Sequence, residues 1–181
     1  MPRIKIIDRA DMNAEQARVY DAAKEGSGIV GGPYYAYIRL PKLFEAAQTL
    51  RASLSSGPLS AREQQIVNMT VARHWGACYP WFAQARRSRS MGIDQSVIDA
   101  INARQTPNLP DARELTCFTV ARGLLANKGL SDATYATAEK TLGLESLVAL
   151  VAGIGSFSMT CMTANSFGIE PPAENPTPLT P

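Results

Sequence analysis

Leu59-Ser-Ala-Arg-Glu-Gln-Gln-Ile-Val-Asn-Met-Thr-Val-Ala-Arg-His-Trp-Gly-Ala-Cys-Tyr-Pro-Trp81 is the stretch on which the reading of this chain turns. Ser60 and Glu63 stand three apart, the spacing of a capping box, in which hydroxyl and carboxylate satisfy each other's free backbone amides at a helix start. Ile66, Val67, Met69 and Val71 follow at helical spacing, so a helix is expected from Ala61 to about Ala77. Pro80 marks the start of a second helix, because proline is tolerated in a first turn and not in an interior. That helix carries Trp81, Phe82 and Ala85 inward and Arg86, Arg87 and Arg89 outward until Gly92. The stretch is a helix hairpin.

Working outward, Ile4, Ile6 and Ile7 suit an extended N-terminal arm, and Asn13 offers an N-cap for a helix from Ala14 to Glu25 that Gly26 stops. Gly26 to Pro33 is a loop by composition. Its glycines lack the lysine and the preceding strand of a phosphate-binding P-loop, so a flexible turn is expected. Pro41 begins a helix over Lys42 to Ser55. Beyond the hairpin, Asp94 caps a short helix to Arg104. Asp111 with Glu114 repeats the capping-box logic before a helix to Asn127, and Ser131 caps Asp132 to Leu142. Leu144 opens a long apolar helix ending near Phe167. Five prolines among the last eleven residues rule out a further helix, so 171–181 is an extended arm or disordered. Apart from the first arm there is no β-period. The expected fold is all-α, a compact helical bundle in one domain, 1–170, followed by a Pro-rich tail, 171–181.

Composition narrows the function. With 181 residues, 45% hydrophobic and 19% charged, the chain is a soluble globular protein rather than a disordered one. A net charge of +2 gives no basis for nucleic-acid binding. Cys78, Cys117 and Cys161 form no CxxC pair and His74 is the single histidine, so neither a disulfide framework nor a metal site is expected, and no cofactor is implied. A reducing cytoplasm is the simplest compartment. The most apolar segment, Leu147 to Ala164, is interrupted by glycines, serines and threonines. It reads as a buried helix rather than a membrane span, which needs roughly 20 predominantly apolar residues.

The hairpin, continued by Ser90-Met-Gly-Ile-Asp94, resembles the carboxymuconolactone decarboxylase family, which includes the alkylhydroperoxidase D-like proteins. Gly32-Pro33, Leu130-Ser-Asp-Ala-Thr134 and Leu147-Val-Ala-Leu150 leading to Asn165-Ser-Phe167 extend the resemblance over nearly the whole chain. It implies an all-α bundle built around the hairpin. It also implies a cytoplasmic homo-oligomer, a trimer or dimer of trimers, with a dimer as the other option. The apolar helix from Leu147 to Phe167 fits that, because such a helix must be covered on most sides. In the family's peroxidase branch a glutamate, two cysteines three apart and a histidine form a redox relay. Alignment on Trp-Gly-Ala places Gln65 at the glutamate, Ala77 and Pro80 at the cysteines and Gln84 at the histidine. The decarboxylase branch keeps a carboxylate and a histidine at the last two positions, here Pro80 and Gln84.

The resemblance therefore implies a decarboxylase-like protein acting on a small organic acid or lactone, a lyase of aromatic catabolism if active, with its relay positions replaced. A non-catalytic binding or structural oligomer is the alternative, and a thiol-dependent hydroperoxidase the third. Candidate catalytic groups are His74, Cys78, Tyr79 and Gln84. Cys78 is either a lone nucleophile near a helix start or a small buried hydrophobe, and His74 shares its face if the helix runs on unbroken. Tyr34, Tyr35 and Tyr37, with Arg39 to pair an anion, are candidate binding residues, as are Gln65 and Trp81; packing of the tyrosines against the hairpin is the plainer reading.

Overall fold

Ser60 Oγ accepts from the Glu63 amide at 3.1 Å, and the Glu63 carboxylate accepts from the Ser60 amide at 2.6 Å, so the capping box closes as the spacing requires. A computed structural model describes residues 3–26 and 28–180. It contains a short 3-10 turn, Arg9–Asp11, and helices α1 (Ala14–Glu25), α2 (Tyr34–Tyr37), α3 (Pro41–Ser55), α4 (Ala61–His74), α5 (Cys78–Ser90), α6 (Gln95–Asn102), α7 (Ala112–Asn127), α8 (Asp132–Leu142) and α9 (Leu144–Phe167). Among the described residues there is no strand. The first arm is extended apart from its 3-10 turn and hydrogen-bonds Phe167 O through the Arg3 amide. Residue 27 of the glycine loop and the residues at both chain ends lie outside the described residues.

Several boundaries differ from the sequence expectation for local reasons. α4 stops at His74, because Gly76 takes the left-handed conformation at φ 57° and the Gly76 and Ala77 amides fold back onto Arg73 O and Ala72 O. α5 begins at Cys78, which puts Pro80 third, still inside the first turn. Asp94 makes no side-chain cap, and α6 ends at Asn102. Asp111 does cap α7 through the amides of Arg113 and Glu114, but the box is not completed. The Glu114 carboxylate instead pairs with Arg62 at 2.7 Å. Tyr34, Tyr35 and Tyr37 lie on the one-turn helix α2 that follows the glycine loop.

α4 is the hub, packed by α7 and α9 and, less extensively, by α5. Its Ile66, Met69, Val71 and Ala72 are fully buried with Trp81, Ile98, Val120 and Leu150 from the surrounding helices. Burying each large side chain there contributes about 1.5–3 kcal/mol. A second, smaller core joins α1 to α3 through Val19, Tyr34, Tyr37 and Phe44.

The tail over 171–180 is extended and docked. Trp81 Nε1 donates to Thr177 O at 2.9 Å, Asn102 Nδ2 to Pro178 O at 2.9 Å and Arg73 Nη2 to Thr180 O at 3.0 Å. Proline-rich backbone has few donors, so its carbonyls are held by side chains instead. Arg89, expected in solvent, donates to Thr177 Oγ1. α9 is covered on one side only. Leu147, Leu150, Ile154 and Cys161 are buried, whereas Leu144, Val148, Val151 and Met162 form an exposed row. By length and hydropathy α9 is the one described helix able to cross a membrane.

Candidate functional site

Gln64, Gln65 and Asn68 lie within about one turn on a single face of α4, and amide side chains packed against the core need hydrogen-bond partners. They border a cavity of about 110 Å³ closed by Gln84 and Arg87 of α5, Ser156, Phe157 and Thr160 of α9, Arg51 and Ser55 of α3, and Tyr34 of α2. A neighbouring lobe of about 80 Å³ reaches toward Leu59 and Leu150. Both lobes share Arg51, Ser55, Gln64, Asn68, Ser156 and Phe157 on their walls. The space suits a compact ring or a short acid, well below the usual roughly 300–1,000 Å³ of a drug-sized pocket.

The two glutamines are held differently. Gln65 is 2% exposed, and its Nε2 donates to Gln84 O at 2.9 Å and to Ser88 Oγ at 3.0 Å. Ser88 Oγ in turn stands 2.8 Å from Gln84 O. Gln65 thus fixes the backbone of α5 where Gln84 emerges. Gln84 Oε1, in contrast, is buried with no hydrogen-bond partner among the described residues. A buried acceptor left without a donor costs about 1–3 kcal/mol, which a ligand hydroxyl or an ordered water removes. Tyr34 completes the wall. Burial raises its phenol above the ordinary tyrosine range, so it stays protonated.

The remaining candidates lie elsewhere. Trp81 is fully buried, its indole committed to the tail, so it is core and not cavity wall. Tyr37 is buried in the smaller core, its hydroxyl 3.0 Å from Thr163 Oγ1. Arg39 donates to the backbone carbonyls of Tyr35 and Lys5, which leaves the arm and not an anion as its partner. Tyr35 and Tyr79 meet the glycine loop at Gly31, and a Cβ on Gly32, at φ 61°, would stand 2.3 Å from the Tyr79 ring. Burial raises the Tyr79 phenol as well. Cys78 is exposed, with Gly76 O as the contact of its thiol. His74 is exposed and stacks edge-on against Trp75. Because Gly76 breaks the helix between them, His74 and Cys78 belong to different helices and form no hydrogen-bonded pair. Cys117 and Cys161 are buried free thiols; desolvation pushes Cys117 up to about 12 and Cys161 higher still. Asn68, Gln64 and Arg51 were not expected at a site, although the amide run Gln64-Gln65-Ile-Val-Asn68 carried the signal.

No family model matches the chain, and no curated protein sequence matches it. Solved structures do. An uncharacterized peroxidase-related protein from Silicibacter sp. TM1040 superposes with a TM-score of 0.79 at 18% identity, over 99% of this chain and 96% of that one. The alkylhydroperoxidase AhpD core protein from Ralstonia eutropha JMP134 gives 0.77 at 16%, over 98% and 97%. The debrominase Bmp8, in complex with 2,3,4-tribromopyrrole, gives 0.75 at 12%, over 96% and 95%. The fold is that of the alkylhydroperoxidase D-like proteins.

Proposed function

We infer that this chain is a carboxymuconolactone decarboxylase-like protein that takes a small organic acid or lactone into the cavity between α3, α4, α5 and α9. The observation carrying this reading is the convergence of Gln65 and Gln84 on one cavity, with Gln84 Oε1 buried and unpartnered among the described residues. A ligand hydroxyl or acid proton would satisfy that oxygen, and the guanidinium of Arg87 supplies a partner for a carboxylate. Amides neither take nor release a proton at neutral pH, and Tyr34 stays neutral, so the cavity orients and polarises its ligand rather than relaying protons. One fold neighbour, Bmp8, was captured with a small heteroaromatic ring, which supports a ligand of that size.

A thiol peroxidase needs two sulfurs within disulfide reach, whereas the described cysteines are one exposed thiol and two buried ones. The non-catalytic oligomer is the second reading, favoured by the exposed row Leu144, Val148, Val151 and Met162 on α9. That row would pack against a second copy in the cytoplasm, which a light-scattering mass in solution reads directly.

Thermal stabilisation by muconolactones, aromatic acids and hydroperoxides tests the ligand reading, because binding to the native state raises the melting temperature whether or not turnover follows. A shift with carboxylated lactones or aromatic acids is expected. Silence across the panel at millimolar concentration, or a shift with hydroperoxides alone, contradicts it.

A further inference from the structure

The opposite face of α4 borders a second cavity, of about 370 Å³, between α4, α6 and α7. At about 100° per residue, Thr70, Arg73 and His74 point away from Gln64, Gln65 and Asn68. The two cavities share no lining residue. The chemistry of this one is cationic. Its charge comes from Arg73, Arg104 and Arg122, beside apolar Ile101, Phe118 and Leu125, and no Asp or Glu is on its wall.

Arg73 is only 6% exposed, and its hydrogen-bond partners are neutral: Asn102 O at 2.6 Å, Thr180 O at 3.0 Å and Thr180 Oγ1 at 3.4 Å. Desolvation and the like charge of Arg104 both lower its guanidinium from the ordinary arginine value. Arg122 lies over the Phe118 ring at 5.1 Å and donates to Thr106 Oγ1. Among the described residues no ion pair joins any of these three arginines to a carboxylate. Arg104 and Arg122 are exposed to solvent, whereas the Arg73 guanidinium is largely withdrawn from water with neutral partners only, so an anion reaching it would gain a charge-assisted bond.

Arg104 is placed by the turn that ends α6. It occupies the left-handed position just after α6, at φ 60°, where its amide bonds Ile101 O and the next amide bonds Ala100 O. Glycine holds the equivalent position after α4, α5 and α9, at Gly76, Gly92 and Gly168. Lys128 takes the same conformation after α7, at φ 62°, so the turn tolerates a long side chain, and at Arg104 it brings the guanidinium to the pocket wall.

We propose that this pocket is a second ligand site, for a small dianion with an apolar body, in particular an aromatic or aliphatic dicarboxylate. Its carboxylates would meet the arginines, and its hydrocarbon would lie on Ile101, Phe118 and Leu125. The test is calorimetric titration of the full chain with terephthalate, its dimethyl ester and inorganic phosphate, repeated at raised salt. Terephthalate is expected to bind at least about tenfold more tightly than phosphate, more weakly as salt rises, and the ester not at all. Arg104→Gly is expected to weaken terephthalate about tenfold without lowering the melting temperature, since glycine suits that backbone. Arg122→Met, which keeps an apolar stem, is expected to do the same, and Gln84→Leu to leave this binding unchanged. No terephthalate binding to the wild type, equal binding of ester or phosphate, or unaltered binding by both arginine variants would overturn the proposal.

Discussion

The two faces of α4 make opposite kinds of cavity from one helix. One side presents a row of amides against Ser55, Ser156, Thr160 and Phe157, with Arg51 and Arg87 at its wall, in a narrow space; the other presents three arginines and no amide from α4, against aliphatic and aromatic walls, in a space about three times larger. A narrow amide-lined cavity selects mainly by shape and hydrogen-bond direction, whereas a wide one whose polar groups are mostly arginines selects mainly by charge and weakens as salt screens it. Each side also keeps a polar cost that folding alone does not explain: on the first, a buried Gln84 oxygen without a partner among the described residues; on the second, a buried Arg73 guanidinium whose hydrogen-bond partners are all neutral. Such costs concentrate where a protein binds something.

The comparison breaks most completely if the core separating the two sides is removed. Trp81→Ala deletes a fully buried indole and its bond to Thr177, and about 4 kcal/mol of stability should be lost in urea unfolding. A loss below about 1 kcal/mol would return Trp81 to the cavity wall. Gln65→Leu should cost about 2 kcal/mol, because Gln84 O loses one donor and Ser88 loses its neighbour inside a buried network. Ligand stabilisation should vanish with it.

A smaller effect concerns the buried thiols. The Cys117 thiol is raised in the folded chain, so the native state holds a proton that the unfolded chain releases near pH 9. Stability is therefore complete below that pH and falls as pH climbs toward about 12. Cys117→Ala should show a shallower alkaline decline in melting temperature than the wild type, after allowance for its lower starting value. The smallest effect belongs to Cys78→Ala. Hydroperoxide consumption should be at the buffer rate in both wild type and variant, and any rate carried by Cys78 would restore the thiol reading.

Local signals were legible in the sequence. Ser60 with Glu63, and Leu144 through Phe167, are set by chemistry within a few residues, and the structure ends those elements where side chains and glycines direct. The all-α bundle followed from them. The pairing of His74 with Cys78 assumed a continuous helix, and the left-handed turn at Gly76 separates them. Tyr37 and Trp81 looked like pocket residues because large aromatics suit either a pocket or a core, and only the packing of distant helices decides which. The cationic pocket draws Arg73 from α4, Arg104 from the turn after α6 and Arg122 from α7, positions about thirty and twenty residues apart, so no local pattern announces it.

The most direct measurement is the melting temperature of Gln84→Leu beside the wild type, each with and without a carboxylated lactone. Removing an unpartnered buried oxygen should raise the unliganded melting temperature while abolishing the ligand-induced shift. A variant that melts lower than the wild type and still responds to the ligand would contradict the assignment of Gln84 to ligand binding.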